Sequence, residues 1–284
     1  FVAISTDLNV TNLQLGAILT AYNIATGVLQ TPMGILVDKF GARRVLISGL
    51  FVTSSAFGLC GFTTAYWELL MLFFVAGAGN SVFHPADYVI LTASVDQSRQ
   101  GRAYSMHSFG GSLGTAAGPA VMAILMTMTD WRTALVIAGL LGVVLSLIFV
   151  FSGDTLQEDA AAKQKTKSEK PLRSMITRSI VLLFLFYVLT SSANIGLTAF
   201  APIYLPALYN VTVETAAYIL SALLFSNALG TLFGGWLADK TPRHELVLVI
   251  SFTIYSVVLV IVGTALIPVL LVVGAFMLGG FVRG

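Results

Sequence analysis

Charge is scarce in this chain. Of its 284 residues, 15 are Lys or Arg and 13 are Asp or Glu, so charged side chains make up only 10%. Hydrophobic residues make up 57%, and the mean hydropathy is +0.90. A composition with so little charge argues against a water-soluble domain and indicates a protein that is embedded in a lipid bilayer.

Cysteine and the common enzyme motifs are also lacking. Cys60 is the single cysteine, so an internal disulfide cannot form. The sequence contains no Walker phosphate-binding loop, no H-E-x-x-H pair and no Cys–His spacing that is typical of a metal site. We therefore expect no metal, no cofactor, no nucleic acid partner and no enzymatic activity.

Long apolar runs are abundant. A helix needs roughly 20 mostly apolar residues to cross the hydrocarbon core of a bilayer. Such runs predict an all-α, multi-pass membrane protein, with spans at about 13–33, 45–63, 67–93, 103–128, 131–151, 178–204, 214–237, 245–264 and from 267 onward. The chain begins at Phe1 and stops inside an apolar run. We therefore expect a segment cut at both ends, and we count the run at 13–33 as the second span.

The distribution of Lys and Arg predicts the orientation. Nearly all of them lie on alternate connectors, with Arg132 as the exception and Arg283 inside the last run. Since cytoplasmic connectors carry the excess of positive charge, residues 34–44, 153–177 and 239–245 are predicted to face the cytoplasm of a plasma (inner) membrane. The polar, Lys-rich segment 153–177 is predicted to be a linker between two helical bundles, at 1–152 and 178–284.

The sequence contains an internal repeat. Residues 9–44 match residues 210–245 at an offset of 201 without a gap, and both copies contain Asn-Val-Thr and the pattern G-x-L-x-D-K. We infer a duplicated half, with parallel repeats about an axis along the membrane normal. Thr11 with Gln14 fits a capping box, and Thr212 can cap its helix in the same way. The triplets also match a glycosylation acceptor.

The segment GILVDKFGARR, at 34–44, is the densest cluster of charge. Its glycines permit a tight turn and close packing. Asp38 can pair with a basic residue or with the positive N-terminus of a neighbouring helix. The segment resembles the signature loop of the major facilitator superfamily. The segment GWLADK, at 235–240, is similar to a shortened copy of this signature. Pro242 stands where the second Gly would follow, so we predict that this loop is built differently.

The resemblance implies an all-α major facilitator fold with two six-helix bundles. This chain would hold the end of helix 1 through most of helix 10. The resemblance also implies a gate that closes the cytoplasmic side, and its residues are Gly34, Asp38, Lys39, Gly41, Arg43, Arg44, Asp239 and Lys240. The alternative is a loop that is merely basic.

A glycine motif lies in the fifth span. Gly110, Gly114 and Gly118 recur every four residues and are followed by Pro119, so one helix face permits the close approach of another helix. The motif resembles the G-x-x-x-G-P motif of proton-driven drug exporters in the same superfamily. It departs from that branch at 120–123, where AVMA replaces a Gly pair. The alternative is ordinary helix packing.

The fourth span carries ionisable residues. Asn80, His84 and Asp87 follow one another at spacings of four and three, which places them on one helix face. Ionisable groups inside a membrane usually face a cavity or a partner. A buried His–Asp pair can hold or release a proton, and His107 can join it. The alternative is a structural hydrogen bond that braces a bend at Pro85, with Asp87 paired to Arg102.

Other polar residues are candidates for a substrate cavity. Together with Asn80 they are Asn23, Gln30, Tyr187, Ser191, Asn194 and Arg283. Hydrogen bonding between helices explains the uncharged ones equally well. The coupling Arg of the drug-exporter branch is missing, since Phe73 stands at its position. The tripeptide at 83–85, FHP, resembles the branch of fosmidomycin-resistance exporters.

These patterns predict a monomeric secondary transporter that binds a small organic solute and protons and works by alternating access. A drug or metabolite exporter is one form of this prediction. The alternatives are an energy-independent facilitator or a metabolite importer on the same fold, and a membrane sensor that has kept the fold without transport.

Overall fold

The computed structural model describes residues 2–151 and 177–284. The predicted linker at 153–177 therefore lies outside the described residues, except for Thr177. The regular elements of the described part are all helical, so the all-α prediction is confirmed. They are α1 (Val2–Leu8), α2 (Asn12–Phe40), α3 (Ala42–Cys60), α4 (Tyr66–Asn80), α5 (Phe83–Ser94), a 3-10 turn (Gln97–Arg99), α6 (Gln100–Met128), α7 (Trp131–Phe151), α8 (Arg178–Tyr209), α9 (Val213–Lys240), α10 (His244–Gly263) and α11 (Val269–Arg283).

Several of these helices have the length and composition of membrane spans. Within the described residues, five segments qualify: Tyr66–Ser94, Trp131–Phe151, Arg178–Thr198, Thr215–Lys240 and His244–Gly263. The most apolar window of Arg178–Thr198 has no buried residue. Such an exposed apolar surface suits lipid, because a helix satisfies its own backbone groups and leaves only side chains to contact the hydrocarbon.

The fourth span, which was predicted as one run at about 67–93, is broken between α4 and α5 for a local reason. The fourth span forms two helices, which are separated at Ser81 and Val82. Pro85 has no N–H to donate to the carbonyl of Ser81, and its ring crowds that carbonyl. The bend that was expected at Pro85 therefore lies one turn before it. The helix α6, by contrast, runs without interruption past Pro119.

The first of two compact units takes its described residues from 1–97 and 114–167. Here α3 packs against α4 and α7, and α2 packs against α4. Glycines allow these helices to approach closely. A Cβ added to Gly139 of α7 would lie 2.5 Å from the backbone nitrogen of Gly58 of α3, and a Cβ on Gly77 would overlap the carbonyl of Tyr22.

The second unit takes its described residues from 98–113 and 168–284. In it α9 packs against α8 and α11, and α11 packs against α10. Residues 98–113 were predicted to lie within the first bundle but group with this unit. The reason is the start of α6, where a Cβ on Gly101 would lie 2.5 Å from the carbonyl oxygen of Gly235 on α9.

The structure confirms the internal repeat. Asn9 and Asn210, which are equivalent at the offset of 201, both adopt a left-handed conformation, with φ of 50° and 51°. Thr11 caps α2 in a capping box with Gln14, and Thr212 accepts a hydrogen bond from the N–H of Thr215 at 3.2 Å. In both copies of Asn-Val-Thr, the Asn therefore follows one helix and the Thr caps the next.

A polar contact is also repeated. Thr26 of α2 donates to the carbonyl of Gly77 on α4 at 3.0 Å. Its equivalent, Asn227 of α9, donates to the carbonyl of Gly280 on α11 at 3.3 Å. Each repeat therefore joins its second and fourth spans through a side chain at the same position.

Candidate functional site

Gly41 forms the tight turn of the predicted gate loop. Its φ is 91° and its ψ is 142°, which only Gly adopts readily, and its N–H donates to the carbonyl of Val37 at 2.9 Å. One residue thus ends α2 and begins α3. Gly34 is less constrained, because an added Cβ would meet nothing nearer than the Cβ of Pro85 at 4.0 Å. The close packing predicted at Gly34 is therefore absent among the described residues.

The two arginines of this loop are used differently. Arg43 donates through Nη2 to the carbonyls of Phe149 and Val150, at 3.0 and 3.2 Å. These carbonyls belong to the last turn of α7, where a cation also interacts favourably with the helix dipole. Arg43 therefore joins α3 to α7 within the first unit. Arg44 is exposed and lines a groove on the same unit.

In the second copy of the motif, Asp239 contacts the start of α6. One carboxylate oxygen of Asp239 accepts the N–H of Gly101 at 2.7 Å. The other accepts the Nε of Arg102 at 2.7 Å and the N–H of Arg102 at 3.3 Å. The carboxylate of α9 thus caps the positive N-terminus of α6, which is the type of contact that the sequence predicted for Asp38.

Two glycines make room for this cap. Gly101 and Gly235 face each other so closely that a Cβ on either would lie 2.5 Å from the carbonyl oxygen of the other. The loop that follows is longer than its counterpart, since α9 ends at Lys240 and α10 begins at His244. The prediction that Pro242 changes this loop is confirmed.

The gate loop packs on the helix that carries the predicted proton site. Val37 and Ala42 form a buried cluster with Ala86 and Ile90 of α5. His84 and Asp87 lie on the same short helix. Asp87 is half-buried, but His84 is exposed, and its ring lies 5.9 Å from that of Tyr88. His84 therefore points away from the packed cluster, and its role in a proton site stays a prediction.

His107 lies elsewhere in the fold. It is exposed on α6, within residues 98–113 that group with the second unit. Its participation in a proton site with His84 and Asp87 stays a prediction.

The cavity candidates differ in how their polar atoms are used. Asn80 donates to Thr26 at 3.5 Å, which supports hydrogen bonding between helices, and Asn23 donates to the carbonyl of Leu19 on its own helix at 2.8 Å. The Oδ1 of Asn194 is buried without a hydrogen bond to any described residue. Of the rest, Tyr187 is exposed, and the half-buried ones are Gln30, Ser191 and Arg283. Asn194 is thus the candidate with an unused acceptor.

The glycines of the α6 motif have free space around them in the described part of the chain. A Cβ on Gly110, Gly114 or Gly118 would meet no heavy atom within 4 Å among the residues that the structure describes. The predicted close helix contact is not made there, and its role in packing stays a prediction. Nor do three or more His, Cys, Asp or Glu side chains of the described part form a group that would hold a metal ion.

Sequence reasoning missed Gly101 and Asn227, and it named Arg102 only as a partner of Asp87. Gly101 and Arg102 lie at the start of α6, where a Gly and a cation beside a predicted helix N-terminus indicate an anion partner. Asn227 follows from applying the offset of 201 to Thr26. The repeat therefore contained the information for Asn227, whereas the partner of Asp239 required the fold.

Comparison with known proteins decides the family. The family model described as the Major Facilitator Superfamily matches residues 1–284. The chain belongs to the major facilitator superfamily. Its similarity to that family is therefore not confined to the loop at 34–44 but extends along the whole sequence.

Individual superfamily members are more distant. The chain is 25% identical over 249 residues to the fosmidomycin resistance protein of Escherichia coli (strain K12), covering 86% of this chain and 61% of that protein. It is 24% identical over 250 residues to the membrane sensor protein UhpC of Salmonella typhimurium, covering 81% and 57%. The chain thus spans about three fifths of the length of these curated relatives.

A solved structure confirms the fold. The E. coli fucose:proton symporter FucP superimposes with a TM-score of 0.66 and 15% identity, covering 99% of this chain and 78% of that one. At this identity the likeness shows the major facilitator fold alone.

Proposed function

We propose that this protein is a secondary transporter that moves a small organic solute across the plasma (inner) membrane by alternating access. Family membership supports this proposal, and the observation that carries it is the contact of Asp239 with Gly101 and Arg102. A carboxylate at the end of one helix that caps the start of another can be released without unfolding either helix. Such a contact suits a gate.

We further propose that His84 and Asp87 couple transport to protons. Their helix α5 packs on the gate loop through Ala86 and Ile90, and Pro85 faces Gly34. A change of charge on α5 would therefore act on residues that contact the loop. A proton carrier must be reachable from solvent, and the side chain of His84 is exposed.

The relative named for fosmidomycin resistance favours a drug or metabolite exporter and supplies a probe. The protein is reconstituted in liposomes that contain a pH-sensitive dye, and fosmidomycin flux is followed with and without a pH gradient. We expect the gradient to accelerate flux and His84→Ala to abolish this acceleration. His244→Ala is the matched control, because His244 is also exposed but lies at the start of α10.

Two other results would point to different functions. Flux that ignores the pH gradient in the unaltered protein would indicate an energy-independent facilitator. The relative named as a membrane sensor favours a second candidate, in which the protein binds its solute without moving it. Solute-induced thermal stabilisation with no flux in the same liposomes would support that candidate and contradict transport.

A further inference from the structure

A groove on the first unit begins beside the loop that joins α2 and α3. The helices α2, α3 and α4 form its walls, and its volume is about 470 Å³. Most of the side chains that line it are apolar, and the larger ones are Met33, Leu36, Phe40, Val45, Val52 and Val82. Ser48 and Arg44 are the polar residues among the described residues that line it, and no carboxylate is among them.

The charge of this groove lies at one end. Arg44 is exposed and stands in the first turn of α3, whereas its neighbour Arg43 is turned to the carbonyls of α7. Lys39 is also exposed, in the last turn of α2. Asp38, beside Lys39, is exposed as well, so the two exposed cations exceed the one exposed carboxylate of this loop. The end of the groove beside the loop therefore carries a net positive charge, and the remainder is apolar.

The length of the groove matches the depth of a lipid leaflet. Arg44 and Val52 both line it, and they are eight residues apart on α3. At 1.5 Å per residue this separation is about 12 Å. One leaflet of the hydrocarbon core is about 15 Å deep, being half of roughly 30 Å. An acyl chain whose headgroup lies at the level of Arg44 would follow most of the groove.

We propose that this groove binds an anionic phospholipid of the leaflet that the α2–α3 loop faces. The phosphate pairs with the guanidinium of Arg44, which offers a planar fork of N–H donors to phosphate oxygens. One acyl chain lies along Phe40, Val45 and Val52. Net negative charge on the headgroup is favoured because Lys39 lies nearby and no carboxylate lines the described groove. Basic pockets between membrane helices bind such headgroups.

Arg44 is specific to the first repeat and is not a residue that both copies share. The equivalent residue in the second repeat, at the offset of 201, is Glu245. The two copies of the gate loop therefore carry opposite charges at this position. The lipid site does not depend on the proposed transport activity and can be tested without a transport assay.

The test is native mass spectrometry of the whole chain, purified in detergent and titrated with lipids that have identical acyl chains. We expect phosphatidylglycerol to bind about fivefold more tightly than phosphatidylcholine, since one cation near the surface contributes roughly this factor. Arg44→Gln should remove the preference, and Arg44→Lys should retain part of it. Lys240→Gln is the matched control, because it removes an exposed cation at the equivalent end of α9 and should leave the preference unchanged.

A second variant tests the apolar part of the site. Ser48→Phe places a ring in the groove and should weaken binding of both lipids while the thermal unfolding temperature stays near that of the unaltered protein. The proposal is overturned by equal binding of the two lipids to the unaltered protein, or by an undiminished preference in Arg44→Gln. Displacement of the lipid by inorganic phosphate at equal concentration would also overturn it, since the acyl chain would then contribute nothing. So would a second copy of the chain in the groove, which would be seen as a dimer that is lost in Ser48→Phe.

Discussion

Asp239 accepts a hydrogen bond from the Nε of Arg102 at 2.7 Å, although 137 positions separate the two residues in the chain. The Asp239 side chain is 4% exposed, whereas that of Arg102 is 49% exposed. The guanidinium is therefore solvated, and the enclosed carboxylate also bonds the N–H of Gly101. The contact consists of a helix cap, to which an exposed ion pair is added.

This geometry predicts unequal effects of removing the two partners. Asp239→Ala should lower the thermal unfolding temperature clearly, because it leaves the first N–H groups of α6 without their acceptor. Arg102→Ala should lower it less, since exposed ion pairs contribute little and the Gly101 bond remains. Intrinsic fluorescence during heating in detergent measures both. A larger loss for Arg102→Ala would show that the ion pair, and not the cap, holds these helix ends together.

The first copy of the motif is predicted to control the direction in which the cavity opens. Asp38→Ala should bias the protein toward an inward-open state. The check is labelling of Asn80→Cys by a membrane-impermeant maleimide from the cytoplasmic side, in a Cys60→Ser background. Labelling should accelerate with Asp38→Ala and not with Glu245→Ala, which removes a carboxylate of the second loop that is not among the predicted gate residues. Unchanged labelling in both would count against the gate.

Gly41 is predicted to be intolerant of a side chain. With φ at 91°, Gly41→Ala forces an L residue into a region that costs about 1–3 kcal/mol. The free energy of unfolding should fall by that amount. Gly27→Ala is the control, because Gly27 is helical and its added Cβ would meet nothing within 4 Å. If both variants are equally stable, the turn at Gly41 relaxes to an ordinary conformation.

The glycines of α7 and α6 are predicted to behave differently. A Cβ on Gly139 would press against the backbone of Gly58 and lie 2.7 Å from the carbonyl oxygen of Ser54. Gly139→Ala should therefore destabilise the protein by about 1–3 kcal/mol, as overpacked cores do. Gly114→Ala should be neutral in the same unfolding assay. An equal loss of unfolding free energy in Gly114→Ala would mean that the glycine face of α6 packs against another helix in a different conformation of the protein.

The sequence predicted much of the fold because the relevant patterns are local. Apolar runs placed the helices, five segments of which qualify as membrane spans in the described part, and the capping residues Thr11 and Thr212 begin α2 and α9 as expected. The repeat was visible because the two copies align without a gap, and it extends to the conformation of Asn9 and Asn210. The break at Ser81 and Val82 was not predicted, and the bend considered at Pro85 lies one turn too late because Pro85 acts on a carbonyl four residues earlier.

Motifs in the sequence predicted which residues belong to the candidate site, but not which residues they contact. The second gate copy appeared degraded because it lacks the second Gly, yet its Asp239 makes the helix cap. The sequence did not predict that Arg43 bonds the end of α7 or that His84 points away from the packed cluster. None of these outcomes follows from residues adjacent in sequence.

The sequence by itself therefore determined the helical class, the position of most helices, the duplicated half and the capped helix starts. Each of these depends on interactions within one or two helical turns or on the amount of apolar side chain that lipid must cover. Tertiary structure alone decided that Asp239 meets Gly101 and Arg102, that Arg43 and Arg44 point to different places, and that α5 packs on the gate loop. These relationships depend on which helices pack together, and residues that are far apart in the chain become neighbours only then.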